Sequence, residues 1–363
     1  MRRPLIITIV AAAAAADNSD SCDASTLSAA AESFRKDGYA VLPNFASAEE
    51  VASMLSSMEG MVASWWQNEQ GSDADNIFTT GENQTKAQAA SRYFFDSADR
   101  VHFFKEASQE TTEGEGSGPP ALNKVGHGLH LDSSTPFGAY ATSSRISAAA
   151  REVAGLVTPV LPQSMYIFKP ARVGGSVTSH QDGTFLYTTP HQTVVGFWLA
   201  LHDATLENGC LWARPGSHLE PLRRRFVRST DGSTDGGEEE VVMTFTNVSS
   251  ADDESFLSDA LLGGESLPAG QRAAALASGE AARQWEGKES EGAAELSARG
   301  FVPLPVNAGD LVMFPGTLDH LSLPNTSPNA RHTFQLHMVE SDGVEWASSN
   351  WLQYPQGKAF PHL

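Results

Sequence analysis

Val177-Thr-Ser-His-Gln-Asp182 is one of several short β-rich runs in the chain, and its reading decides the architecture. Residues two apart in a strand face the same way, so His180 and Asp182 share a face while Gln181 points to the other. The runs around it are Ser164 to Phe168, Thr193 to Leu201, Cys210 to Arg214, Leu311 to Phe314 and His332 to Val339, bounded by Gly, Pro and Asn. Many short strands separated by turn signals predict a sandwich or barrel, here with helices leading. A helical pattern at Ser28 to Lys36 stops at Gly38, and Tyr39 to Leu42 then reads as a strand. Ser47 and Glu50 have the spacing of a capping box, which opens a helix with the apolar stripe Val51, Met54, Leu55, Met58, Met61, Val62 and Trp65. That stripe is expected to be core, its methionines packing rather than chemistry. Arg145 to Leu156 predicts a further helix, closed before Pro159. The fold class is mainly β with flanking helices.

Two segments stand apart from this body. Residues 1–24 form a leader: Arg2 and Arg3, an apolar stretch from Leu5 to Ala16, then Asp17, which fits either a secretory signal or an Ala-rich tail and leaves localisation open between cytoplasm and secretory pathway. Within the domain expected over 25–363, residues from about 229 to 299 are rich in Gly, Ser, Ala, Glu and Asp and include Asp235-Gly-Gly-Glu-Glu-Glu240. That composition predicts an acidic, mobile insertion with some helix near Gln271 to Trp285, too polar to supply core.

The chain has 363 residues and is 40% hydrophobic, enough to bury a substantial core. A formal charge of −20 argues against a nucleic-acid partner and against anionic membranes, since a generally acidic surface repels both. No apolar run is long enough for stable membrane insertion. A small-molecule substrate fits better. Cys22 and Cys210 make no disulfide framework.

His180 and Asp182 on one face are two-thirds of a metal site. Non-haem Fe(II) that must also bind oxygen and a chelating substrate wants two His and one carboxylate on one triangular face, with three positions left open. His320, after the turn at Pro315-Gly316, is the candidate third ligand. Alone the H-x-D tripeptide is weak, because a lone strand His is commonly a hydrogen-bonded core or surface residue. His127, His130, His191, His202, His218, His332 and His337 are read as structural or surface groups, since one such triad needs only two histidines. Arg223, Arg224, Arg225 and Arg228 form a basic cluster, read as a solvated face before an anion-attracting one.

Three stretches taken together resemble the phytanoyl-CoA dioxygenase family: Phe34-Arg-Lys-Asp-Gly-Tyr-Ala-Val-Leu-Pro-Asn-Phe45, His180-Gln-Asp-Gly-Thr-Phe185 and Gly209-Cys-Leu-Trp-Ala-Arg-Pro-Gly-Ser-His218. The likeness is nearest to the phytanoyl-CoA dioxygenase domain-containing branch and extends to Asn123-Lys-Val-Gly-His-Gly-Leu-His130 and Asn350-Trp-Leu-Gln-Tyr-Pro355. It implies a double-stranded β-helix, or jelly roll, with Fe(II) held by His180, Asp182 and His320. It also implies 2-oxoglutarate contacts at Lys124, Met165, Trp198, Ser322 and Arg331, with O2 as the other co-substrate.

The residue types agree with those roles. Arg331 lies eleven residues beyond His320 across a turn, so adjacent antiparallel strands are expected to bring its guanidinium near the metal. Its planar fork of donors suits a carboxylate. Ser322, two residues from His320, shares its face and can donate a hydroxyl hydrogen bond. Without the resemblance, Lys124, Met165 and Trp198 would read as a surface cation and two core residues. The implied reaction is oxidative decarboxylation of oxoglutarate to succinate and carbon dioxide, coupled to hydroxylation of a small organic or lipid-like substrate. Two rivals remain: a halogenase of the same fold, against which Asp182 argues, and a catalytically silent metal- and oxoglutarate-binding protein.

Overall fold

A computed structural model of the chain describes residues 23–68, 77–78, 92–106, 118–231, 240–248, 256–264, 266–288, 290 and 292–363. Residues 1–22 of the leader, Cys22 among them, lie outside, as does most of the run Asp235 to Glu240, whereas Ala24 already opens a helix. In chain order the strands are β1 (Ala40–Leu42), β2 (Ile77–Phe78), β3 (Val101–Glu106), β4 (Leu122–His127), β5 (Pro159–Ile167), β6 (Val177–His180), β7 (Thr188–Thr189) and β8 (Val195–Ala200). They continue with β9 (Leu211–Ala213), β10 (Arg224–Asp231), β11 (Glu240–Asn247), β12 (Val302–Leu304), β13 (Leu311–Pro315), β14 (His320–Ser322), β15 (Thr333–Glu340) and β16 (Glu345–Trp346).

Eight strands form one sheet in the order β1-β13-β8-β15-β5-β4-β3-β2, and four form a second in the order β12-β9-β14-β6. Together they make the jelly roll that the resemblance implies. The larger sheet is covered on both faces, which is why its strands read as continuous apolar runs instead of alternating ones. Leu311, Met313, Phe197 and Leu199 pack on the side of helices α1 (Ala24–Asp37) and α2 (Ala48–Asn68), with Phe34, Met54, Met58 and Trp65. Their alternates Val312, Phe314, Trp198 and Ala200 face the other way, onto Leu211 and Leu321 of the smaller sheet. Each fully buried side chain of this kind contributes roughly 1.5–3 kcal/mol.

The leading helices start and stop where their local signals place them. Glu50 Oε2 accepts from Ser47 N at 2.8 Å and Ser47 Oγ accepts from Glu50 N at 3.2 Å, the two bonds of a capping box at the start of α2. Gly38 follows α1 in the left-handed region at φ 86°. Among the described residues no helix is long and apolar enough to cross a membrane.

The helix expected near Gln271 to Trp285 is present at Ala269–Ala282, but the insertion does supply core, contrary to expectation. It begins within a hairpin of β10 and β11, continues into a helix at Ala269–Ala282 and another at Ala293–Ala298, and buries Met243, Leu261, Ala275, Ala282 and Leu296. The arginine cluster is not a solvated face either. Arg223 is 1% exposed, with Asp319 Oδ2 2.9 Å from its Nη1 and Glu286 Oε2, from the insertion, 3.1 Å from its Nε. Arg214 pairs with both Asp319 (3.0 Å) and Glu220 (2.6 Å). Gly287 N donates to Ser179 O at 2.9 Å, and Ser179 Oγ donates to Asp319 Oδ1 at 2.5 Å. Average composition hid this arrangement, because a few well-spaced apolar residues and one paired carboxylate suffice to dock a polar segment.

A buried ion pair is costly to break from one side, since the remaining charge stays desolvated. Glu286→Gln should therefore lower stability by about 3 kcal/mol, read as a lower urea midpoint. Replacing 229–299 with a short Gly-Ser linker should abolish the native transition. Unchanged midpoints in both variants would show that the insertion is only an appendage.

Candidate metal centre

The smaller sheet assembles the centre. β14 runs antiparallel to β6 with His320 directly opposite His180, and the two ring centroids are 4.3 Å apart. The strand carrying His180 ends there, two residues earlier than expected, and Asp182 opens a 3-10 turn over Asp182–Thr184. The turn still delivers the carboxylate: Asp182 Oδ1 lies 3.4 Å from His180 Nε2 and 3.6 Å from His320 Nε2. One ligand atom from each of the three side chains lies within 4.8 Å of the others.

Hydrogen bonds behind these groups set which atoms face inward. His180 Nδ1 donates to Thr178 O (2.8 Å) and His320 Nδ1 to Leu318 O (3.1 Å), so both Nε2 atoms keep a bare lone pair toward the centre. Asp182 Oδ2 accepts from His337 Nε2 at 3.1 Å, and Gln163 Nε2 lies 3.2 Å from His337 Nδ1 as its donor. With Oδ2 occupied, Oδ1 is the oxygen left for a metal. Two nitrogens and one oxygen on one side, with neutral-imidazole and carboxylate chemistry, suit a divalent transition metal with open positions.

The electrostatics agree. Burial raises the Asp182 carboxyl, but His320 and His337 outweigh it and hold the group well below the usual carboxylate range. Two imidazoles beside one carboxylate do not share a proton equally. Burial, then His180, pushes His320 down to about 4, whereas for His180 the hydrogen bond and charge of Asp182 overcome burial and the net shift is upward. A metal therefore competes with a proton at His180 Nε2 more than at His320 Nε2, and the His180 lone pair is free only in the neutral imidazole.

Beside the centre lies a cavity of about 180 Å³, and Lys124, Met165, Trp198, Ser322 and Arg331 all line it. Met165 in β5 and Trp198 in β8 both stand opposite Gln335 of β15, which places the pair on one row of the larger sheet. Arg331 precedes β15 and so belongs to the larger sheet, not to a strand adjacent to β14 as expected. It reaches the cavity across the sandwich. The guanidinium is 2% exposed and sits 5.3 Å over the Trp198 ring. Its Nη1 donates weakly to Thr333 Oγ1 at 3.4 Å, its Nε has no partner, and no carboxylate pairs with it among the described residues. Burial pushes it down to about 10. A buried cation with spare donors facing a cavity is a ready receptor for a carboxylate. Lys124 is also buried and held well below its usual range by desolvation, 5.4 Å and 5.1 Å from the Phe94 and Phe104 rings.

Three residues at the site escaped the sequence reading: His337 and Gln163 behind Asp182, and Lys169, which lines the cavity and donates to Ser322 Oγ at 3.0 Å. Strand alternation carried the signal, since Arg331, Thr333, Gln335 and His337 share one face, as do Gln163, Met165, Ile167 and Lys169. Of the other histidines, His127 lines the cavity with its Nδ1 2.8 Å from Ser97 Oγ, and three bond elsewhere. His218 bonds Arg35 O, His202 bonds Ala330 O and His332 bonds Tyr166 Oη.

Comparison with known proteins places this geometry in context. A profile described as phytanoyl-CoA dioxygenase matches residues 34–333. Phytanoyl-CoA dioxygenase domain-containing protein 1 of Bos taurus is 35% identical over 92% of this chain and 96% of its own length. Phytanoyl-CoA dioxygenase of Arabidopsis thaliana is 34% identical over 88% of this chain and 91% of its own. Among solved structures, the epimerase SnoN in complex with Fe3+, alpha ketoglutarate and a nogalamycin aligns over 94% of both chains with a TM-score of 0.51 at 18% identity. At that identity the likeness shows the jelly-roll fold alone.

His180→Ala, Asp182→Ala and His320→Ala should each abolish tight Fe(II) or Mn(II) binding in a calorimetric titration, while His191→Ala should not. His337→Ala should weaken it roughly 10- to 100-fold by releasing Asp182 Oδ2. Because His180 must lose its proton, affinity should fall about tenfold per pH unit once pH drops below its raised range. A pH-independent affinity would contradict the ligand assignment.

Proposed function

This chain belongs to the phytanoyl-CoA dioxygenase family, and from that premise we propose that it is an Fe(II)- and 2-oxoglutarate-dependent dioxygenase hydroxylating a small organic or lipid-like substrate. One observation carries the reading: a two-His, one-carboxylate cluster shares a single cavity with a buried guanidinium that has no carboxylate partner among the described residues. A protein that only held a metal would have no use for the second feature.

In this reading His180 Nε2, Asp182 Oδ1 and His320 Nε2 would hold Fe(II). The chemistry supplied when iron is bound is oxidative decarboxylation of oxoglutarate to succinate and carbon dioxide, with insertion of oxygen into a substrate C–H bond. The chain's own residues orient and exclude. Arg331 would bind the distal carboxylate through its guanidinium donors, and Ser322 would donate a hydroxyl hydrogen bond to the same group. Trp198 and Met165 would wall the carbon chain, and Lys124 lines the same cavity. His337 holds Asp182 Oδ2 by a hydrogen bond, which would leave Oδ1 for the metal. Phe185, Phe226 and Trp351 line the remaining part of the cavity and keep water from the reacting centre. An apolar wall of that kind suits an organic or lipid-like substrate.

Purified protein given Fe(II), O2 and oxoglutarate should form succinate slowly alone and faster when a cell extract supplies the substrate. Arg331→Ala should raise the oxoglutarate requirement strongly while leaving iron bound, since it removes a desolvated charge pair worth about 2–5 kcal/mol. Arg331→Lys should rescue only partly, because an ammonium lacks the planar fork. Iron binding without succinate above an Asp182→Ala control, even with extract, would replace the dioxygenase reading with that of a silent binding protein of the same fold.

A further inference from the structure

Lys169 is the least expected group in the cavity. It lies just beyond the end of β5, is 2% exposed, and lines the same cavity as Arg331 and Ser322. A lysine is seldom buried, because desolvating an ammonium costs several kcal/mol unless partners compensate. Here two of its three N–H groups are met by neutral oxygens: Nζ donates to Gly175 O at 2.6 Å and to Ser322 Oγ at 3.0 Å. The third has no acceptor, and no carboxylate pairs with Lys169 among the described residues. Burial, and after it the charge of Arg331, holds the amine well below its usual range, with Glu106 and Cys210 offsetting part of the effect.

The surrounding backbone is shaped for this side chain. A Cβ at Gly209 would stand 2.3 Å from Lys169 Cε and one at Gly174 2.5 Å from Lys169 Cγ, so both glycines clear the path of the stem. Arg331 N donates to Lys169 O at 3.1 Å, and Asn325 Nδ2 donates to the same carbonyl at 2.9 Å. The two cations are thereby fixed side by side at the backbone. Two buried like charges repel one another, and among the described residues neither forms an ion pair with a carboxylate, although Glu106 lines the same cavity and acts on Lys169 from a distance. An anion placed between them relieves both penalties. Ser322 completes the arrangement: its oxygen already accepts from Lys169, which leaves its own proton to donate outward.

We propose that Lys169 is a second cation for the distal carboxylate of the co-substrate, acting beside Arg331, and that the pair selects a dicarboxylic 2-oxo acid over its monocarboxylic counterparts. The inference rests on the oxoglutarate-dependent reading above. Lys169 binds no metal and touches no reacting bond; its contribution is to affinity and to the choice of co-substrate.

The test uses ligands that differ only at the distal end. The full chain, loaded with Mn(II) as an ion inert to turnover, is titrated calorimetrically with 2-oxoglutarate and with 2-oxopentanoate, which has a methyl group in place of the distal carboxylate. Lys169→Met should weaken oxoglutarate about 10- to 100-fold and leave 2-oxopentanoate within about twofold. Lys169→Gln, which keeps a donor for Gly175 O and loses only the charge, should show the same selectivity change and guards against a folding defect in the first variant. Equal losses for both ligands would make Lys169 a prop for the local backbone and overturn the inference, as would unchanged oxoglutarate affinity. Failure of the unsubstituted, Mn(II)-loaded protein to bind oxoglutarate would defeat the dioxygenase reading itself, and the inference with it.

Discussion

The antiparallel pairing of β14 with β6 is the constraint on which the rest depends, because it sets His320 directly opposite His180. Neither strand is long, and the register between them shifts right after that pair. What holds it is the charge network immediately behind the histidines. Asp319, the residue before His320, is fully buried and held far below the usual carboxylate range; burial opposes this, and Arg223 and then Arg214 prevail. Ser179, the residue before His180, donates to Asp319 and receives Gly287 on its carbonyl. One buried carboxylate thus ties together the two strands that carry the ligands, and the insertion closes the network through Glu286. Buried pairs of this kind add little net stability over apolar packing, but they are expensive to misplace, which favours one register over its neighbours.

The cavity inverts the charge balance of the molecule. The chain carries a formal charge of −20, yet Lys124, Lys169 and Arg331 all point buried positive charge toward one small space. The acidic surface repels polyanions, whereas the proposed reading has these interior cations receive a small anion that can shed its water. Two opposite fields in one protein reconcile an unsuitable surface for nucleic acid with a suitable pocket for a dicarboxylate.

Much of this could be read from the chain because the signals are local. The capping box of Ser47 and Glu50 needs residues three apart, and the His180–Asp182 pair needs residues two apart. His320 required only that one distant strand return. Arg331 lines the cavity from the larger sheet and not from a strand beside β14, since adjacency along the chain does not say which of two facing sheets a strand joins. Met165, Trp198 and Lys124 came from family resemblance alone, their packing environment being invisible to pattern. His337 was set aside because a metal needs only two histidines, a count that ignores the groups holding the ligands in place. The insertion was misjudged because composition averages over residues, whereas docking depends on a few of them, Glu286 and Leu296 among these.

The most direct measurement is the visible absorption of the Fe(II)-loaded protein under argon as oxoglutarate is added. Chelation of Fe(II) by a 2-oxo acid requires two adjacent open positions, which a one-sided His180–Asp182–His320 site leaves free. The account predicts a charge-transfer band that grows to one equivalent of oxoglutarate and is absent in Asp182→Ala. A protein that binds Fe(II) through these residues but shows no spectral change with oxoglutarate would contradict it.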